Sequence, residues 1–163
     1  MQSLANWCFE WGIREAVISP GSRSAPLSIA LARHKGIKKY IVPDERSAAF
    51  IAMGLSLAHH RRPVLICCTS GTATLNYLPA LAEAYHQAVP LLVFTADRPA
   101  EWIGQGEGQT IPQQNMYAPF VKDSFTFPLM NSKNHKDKAW HAYRIIQDAL
   151  QSAFSDPHMP VHV

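Results

Sequence analysis

Residues 90–96 read Pro-Leu-Leu-Val-Phe-Thr-Ala, a run that is apolar at nearly every position and stops at Asp97-Arg98-Pro99. A strand wetted on one side would alternate apolar and polar residues, so this run is expected in a parallel sheet covered on both faces. The same reading extends upstream to 63–69 (PVLICCT), which stops at Ser70-Gly71, and to the shorter runs 15–19 (EAVIS) and 38–42 (KKYIV), which stop at Pro20-Gly21 and Pro43. Downstream it takes in 122–127 and the terminal Val161-His162-Val163. Helical patterns fall between these runs, over 4–11, 25–33, 45–60, 72–87 and 137–154, with a short helical turn near 111–116. In 45–60, Ala49, Ala52, Met53 and Leu57 recur at three- and four-residue spacing, one stripe to lay on a sheet. Alternating β and α units of this kind predict a doubly wound, mostly parallel six-stranded sheet with helices on both faces.

The chain has 163 residues, 47% hydrophobic and 17% charged, which suits one domain with a substantial core and excludes disorder. No apolar run reaches the ~18 residues of a membrane span. The net charge of +3 is too small and scattered to argue for a nucleic-acid partner, and no secretory signal follows Met1, so the expected compartment is the cytoplasm. Cys67 and Cys68 are adjacent and would point to opposite faces of a strand. With Cys8 in a helix, the three cysteines suit neither a disulfide framework nor a zinc site and read as buried free thiols. His59-His60-Arg61-Arg62 reads as the polar end of a helix, where cations meet the negative end of the dipole. Trp7, Trp11 and Trp140 sit in helical patterns and are expected in the core or an interface; Trp102 lies in the long irregular stretch 97–114. The polar run 131–138 reads as a solvated linker into the last helix.

In an open parallel sheet, ligands bind outside the carboxyl ends of the strands. After the first strand comes Ser19-Pro20-Gly21-Ser22-Arg23-Ser24, either an anion site built from helix-start amides with Ser22 and Arg23, or a turn capped by Ser24. Neither a P-loop nor a dinucleotide fingerprint is present. After the second strand, Asp44 suits an N-cap. Glu45 either complements the helix dipole or is a tuned acid–base, since burial and dipole pull a carboxyl there in opposite directions. Thr69-Ser70-Gly71-Thr72 supplies a second hydroxyl-rich helix start, and Arg98 a second arginine at the same edge. In the long stretch, Gly104 to Gln109 is either a mobile surface loop or a segment whose glycines let backbone and a Gln approach a ligand.

Five motifs in order, Ile18 through Leu27, Asp44-Glu45-Arg46-Ser47-Ala48, Thr69 through Ala73, Thr95 through Pro99 and Gly108-Gln109, together resemble one family. It is the 2-succinyl-5-enolpyruvyl-6-hydroxy-3-cyclohexene-1-carboxylate (SEPHCHC) synthase family of menaquinone biosynthesis, thiamine-diphosphate-dependent transferases. The chain resembles only the N-terminal, pyrimidine-binding domain of that family. The resemblance implies decarboxylation of 2-oxoglutarate on the cofactor and addition of the resulting succinyl-semialdehyde carbanion to isochorismate. It places Glu45 on N1′ of the aminopyrimidine as the catalytic carboxyl, and Thr69, Ser70, Gly71 and Thr72 near the cofactor. Ser22, Arg23, Arg98 and Gln109 fall on substrate positions, and arginine forks suit substrates that carry carboxylates.

The resemblance also implies that Mg2+ and the diphosphate are held in a C-terminal domain outside these residues, so no metal ligand is expected here. The chain, residues 1–163, is expected to be part of a longer three-domain protein, a homodimer or homotetramer, and alone to be inactive and a poor binder of thiamine diphosphate. Glu107 departs from the family pattern, where Gly-Ala-Asn-Gln is common, and sets a negative charge beside a site meant for anions. Two other readings stand: a different thiamine-diphosphate decarboxylase or carboligase such as acetolactate synthase, and a non-catalytic binding or dimerisation module.

Overall fold

The structure, a computed structural model, describes residues 1–129 and 135–163. The chain runs α1 (Gln2–Trp11), β1 (Glu15–Ile18), α2 (Ala25–Arg33), β2 (Lys38–Ile41), α3 (Glu45–Ala58), β3 (Val64–Cys68), α4 (Thr72–Leu75), α5 (Leu78–His86), β4 (Leu91–Thr95), β5 (Asp123–Ser124), α6 (His135–Phe154) and β6 (Val161–His162). Single 3-10 turns, Ala100–Trp102 and Ala118–Phe120, interrupt the connection from β4 to β5. All strand pairs are parallel, in the order β2-β1-β3-β4-β6-β5. The expected six-stranded sheet is therefore present.

Period-two alternation sorts the strand residues into two cores. Ala16, Ile18, Leu65, Cys67, Leu92 and Phe94 face α1, α2 and α6. Val17, Val64, Ile66, Cys68, Leu91 and Val93 face α3 and α5. All five residues of β3 are buried, which accounts for its unbroken apolar run. Cys67 and Cys68 do fall on opposite faces, and all three cysteines are buried free thiols. Burial pushes the Cys8 and Cys67 thiols up to about 12.

Several local expectations are corrected. The helix read over 72–87 is two helices, because Pro79 lacks the N–H that an unbroken helix would need and instead sits in the first turn of α5. Residues 111–116 form turns and coil, and the helical turn comes later, at Ala118–Phe120. Leu57 is 41% exposed, so the stripe of α3 that meets the sheet is Ala48, Ala49, Ala52, Met53 and Ser56. Of the tryptophans, Trp7 is half-buried and packs against the first core, with its ring edge-on to Tyr143, while Trp11, Trp102 and Trp140 are exposed. Helix α3 ends before His59, with no cation in its last turn. Arg61 instead crosses to the end of α5, where its guanidinium donates to the carbonyls of Gln87 and Ala88, the latter at 2.9 Å. The cation meets a dipole, but that of a neighbouring helix. Of the polar run 131–138, residues 131–134 lie outside the described residues, and from His135 onward it is already α6.

His162 sits in β6, 5% exposed, with Nε2 2.8 Å from the Thr95 hydroxyl and Nδ1 3.2 Å from the Ser124 hydroxyl. Burial lowers its pKa from 6.5 to about 4. As pH falls below 6.5 the unfolded chain takes up this proton first, so His162 contributes stability at neutral pH that is lost between 6.5 and 4. The loss is about 3 kcal/mol. Urea titrations at pH 7 and pH 4.5 should show it, and His162→Gln should flatten the dependence; an unchanged pH profile in that variant would contradict the assignment.

Candidate functional site

Because β1 is flanked by β2 on one side and β3 on the other, the chain changes winding direction there, and the general rule for such sheets directs a ligand to the carboxyl ends of β1 and β3. Ser19 closes the end of β1: its amide donates to Cys67 O at 2.9 Å and its buried hydroxyl to Val42 O at 2.9 Å. The turn that follows passes so close to β3 that a Cβ on Gly21 would lie 2.4 Å from Cβ of Thr69. Glycine at this position is therefore steric, and it leaves Ser22 and Arg23 at the exposed tip. Ser24 is the N-cap residue of α2, but its hydroxyl donates backward to Gly21 O at 3.2 Å and caps no helix amide.

At the end of β2, the Asp44 carboxylate accepts from the Ser47 amide at 2.7 Å and starts α3 as expected. These hydrogen bonds from Ser47 hold the Asp44 carboxyl below its ordinary range. Glu45 begins the helix half-buried, and its charge acts on the thiol of Cys68 at the end of β3. Since Asp44 makes the cap, the Glu45 carboxyl has no capping duty and at most complements the dipole of the helix start.

After β3, the residues that the sequence marked as a helix start are engaged by the long connection 96–117. The Thr72 amide donates to Gln109 O at 3.0 Å, and the Gly71 amide to Gln113 Oε1 at 2.6 Å. Gln109 Nε2 returns a bond to Ser70 O at 2.9 Å, and Gln113 Nε2 reaches Ala96 O at 2.9 Å. Gly71 has φ +81, and a Cβ there would lie 2.1 Å from Gln109 O, so the loop seats only on glycine. Gln113, buried and central to this seating, carried no signal in the sequence beyond its place in a polar run. The Ser70 hydroxyl is buried and has no hydrogen-bond partner among the described residues. A buried unpaired hydroxyl is costly in a finished interior and ordinary beside a ligand.

The seated loop brings Arg23 and Arg98 onto one carboxylate. Glu107 Oε1 lies 3.5 Å from Arg23 Nη2, and Glu107 Oε2 lies 3.4 Å from Arg98 Nε. Arg98 also donates to Thr110 Oγ1 at 3.2 Å and to Gly108 O at 3.4 Å, and its side chain is only 11% exposed. Two guanidinium groups from different strand ends thus converge where a carboxylate fits between them. The opposite end of the sheet holds a concavity of about 490 Å3 lined by Arg14, His60, Arg61, Arg62 and His158. Arg14 and Pro63 precede β1 and β3, so it lies where the strands begin, whereas Glu45 and Arg98 follow β2 and β4 at the carboxyl ends, which are the candidate site. No group of three His, Cys, Asp or Glu side chains able to hold a metal occurs among the described residues.

Residues 1–116 match the family model described as thiamine pyrophosphate enzyme, N-terminal TPP binding domain. The chain is 49% identical over 157 residues to a SEPHCHC synthase of Cytophaga hutchinsonii, covering 95% of this chain and 27% of that protein. It is 45% identical over 163 residues to a protein of the same name from Desulfotalea psychrophila, covering 100% of this chain and 30% of that one. A Rhodococcus jostii thiamine diphosphate-dependent 4-hydroxybenzoylformate decarboxylase superposes with a TM-score of 0.79 at 20% identity, over 99% of this chain and 29% of that one, a likeness of fold. The chain thus spans under a third of the length of these proteins. With the family model covering most of the chain, this protein belongs to the N-terminal TPP-binding domains of thiamine pyrophosphate enzymes.

Proposed function

We propose that this chain is the pyrimidine-binding domain of a SEPHCHC synthase, which consumes 2-oxoglutarate and isochorismate in menaquinone biosynthesis. The observation that carries the proposal is the convergence of Arg23 and Arg98 on a single carboxylate at the strand ends. A site for a 2-oxo monoacid needs one such cation, whereas substrates with two carboxylates call for more. The names of the relatives at 49% and 45% identity point the same way.

The residues present suit the pyrimidine side of thiamine diphosphate. Glu45 offers a half-buried carboxyl with no capping duty, and the orphaned Ser70 hydroxyl offers a buried polar partner. When bound, thiamine diphosphate supplies a thiazolium that stabilises the carbanion left by decarboxylating a 2-oxo acid. Glu45 would hold a proton at N1′ of the aminopyrimidine, a task for a carboxyl that is shielded from bulk water. Arg23 and Arg98 would orient the substrate carboxylates, with Ser22 and Gln109 at the rim. Gln109 serves by positioning, since its amide nitrogen holds Ser70 O. Mg2+ and the diphosphate would be held by a further domain of a longer protein, assembled as a cytoplasmic homodimer or homotetramer.

The deciding assay gives full-length protein thiamine diphosphate, Mg2+ and 2-oxoglutarate and follows CO2 release with and without isochorismate. Release matched by isochorismate consumption is expected. Release from pyruvate in preference to 2-oxoglutarate would favour an acetolactate-synthase-like reaction, and no release from either would favour a binding module.

A further inference from the structure

We infer that Glu107 is an internal competitor for the substrate carboxylate, a residue that sets how strongly an anion must bind to enter the site. The inference rests on the reading that Arg23 and Arg98 take substrate carboxylates. Glu107 puts one carboxylate oxygen against each arginine, at 3.5 Å and 3.4 Å, and so fills the position between them. Both contacts are longer than the ~2.7–2.9 Å of a good charge-assisted hydrogen bond, so an incoming carboxylate that forks onto a guanidinium at closer range displaces Glu107 favourably.

The backbone allows that exchange. Glu107 lies between Gly106, at φ +75, and Gly108, and a Cβ at either glycine would meet nothing within 4 Å. The strong anchors of the loop, Gln109 and Gln113, lie on the downstream side, whereas 104–108 is held by longer bonds, Gln105 N to Trp102 O at 3.4 Å, Thr110 N to Glu107 O at 3.2 Å and Arg98 Nη2 to Gly108 O at 3.4 Å. The exchange asks only that the Glu107 side chain rotate away while the loop stays seated. Thr110 Oγ1, 3.4 Å from Glu107 Oε2 and 3.2 Å from Arg98 Nε, is placed to bond with whichever carboxylate occupies the position. In the unliganded protein Glu107 therefore neutralises two neighbouring cations that would otherwise repel, and in the liganded protein it yields.

The test measures the KM for 2-oxoglutarate and the inhibition constant of glutarate, a dicarboxylate that cannot be decarboxylated. Full-length protein is compared with Glu107→Gln, Arg98→Ala and the double variant. Glu107→Gln should tighten both constants about three- to thirtyfold at low ionic strength, the range expected of two partly exposed ion pairs. The gain should shrink in ~0.5 M salt and shrink again in the Arg98→Ala background, where only the pair with Arg23 remains. Unchanged or weaker binding in Glu107→Gln, with Arg98→Ala still weakening it, overturns the competitor role and leaves the substrate reading standing. If Arg98→Ala does not weaken binding, the substrate reading fails and takes this inference with it.

Discussion

Glu45→Gln in the full-length protein is expected to lower turnover by ~10²–10⁴-fold, the usual contribution of a positioned acid–base group, with little change in stability. The amide is nearly isosteric but cannot exchange a proton with a ring nitrogen. The fold should tolerate it because Asp44, whose carboxylate holds the Ser47 amide at 2.7 Å, caps α3. What Glu45 adds to the helix dipole is about 0.3–1 kcal/mol. Steady-state kinetics beside a thermal melt separate the two effects. Turnover within a fewfold of the parent protein would remove Glu45 from the catalytic role, and a melt lowered by tens of degrees would make it structural.

The second large effect is expected at Arg98. Truncation to Ala should raise the KM for 2-oxoglutarate about 10- to 100-fold, the value of a hydrogen-bonded charge pair in a shielded site. Its side chain is 11% exposed against 34% for Arg23, so the same change at Arg23 should cost less. Arg98→Lys should recover only part of the loss, since an ammonium keeps the charge without the planar fork. Equal KM values in parent and Arg98→Ala protein would dissociate this edge from substrate binding.

The sheet was legible in the sequence because burial on both faces writes itself as continuous apolar runs. The runs at 63–69 and 90–96 contain β3 and β4 with one residue to spare at each end. Asp44 and Glu45 were legible for a similar reason, as polar residues at the head of an Ala-rich helix. What was not legible depends on non-local closure. The loop seating by Gln113 and the bridge from Glu107 to Arg23 exist only because the connection 96–117 folds back over the end of β3. Glu107 read from the family pattern as a negative charge beside a site meant for anions, and the structure adds what that pattern could not show, that its neighbours in space are two cations. Of the helical tryptophans only Trp7 packs against a core, because helical spacing identifies a face without saying whether the sheet covers it, and Trp140, at 62% exposure, is on an outer one.

The central claim is that this strand-end site is the pyrimidine and substrate half of a shared cofactor site, with the metal and diphosphate held elsewhere. Calorimetric titration of thiamine diphosphate with Mg2+ into the 163-residue chain and into the full-length protein tests it most directly. The account predicts tight, Mg2+-dependent binding by the full-length protein and no measurable tight binding by the chain alone. Tight, Mg2+-dependent binding by the chain alone would contradict it.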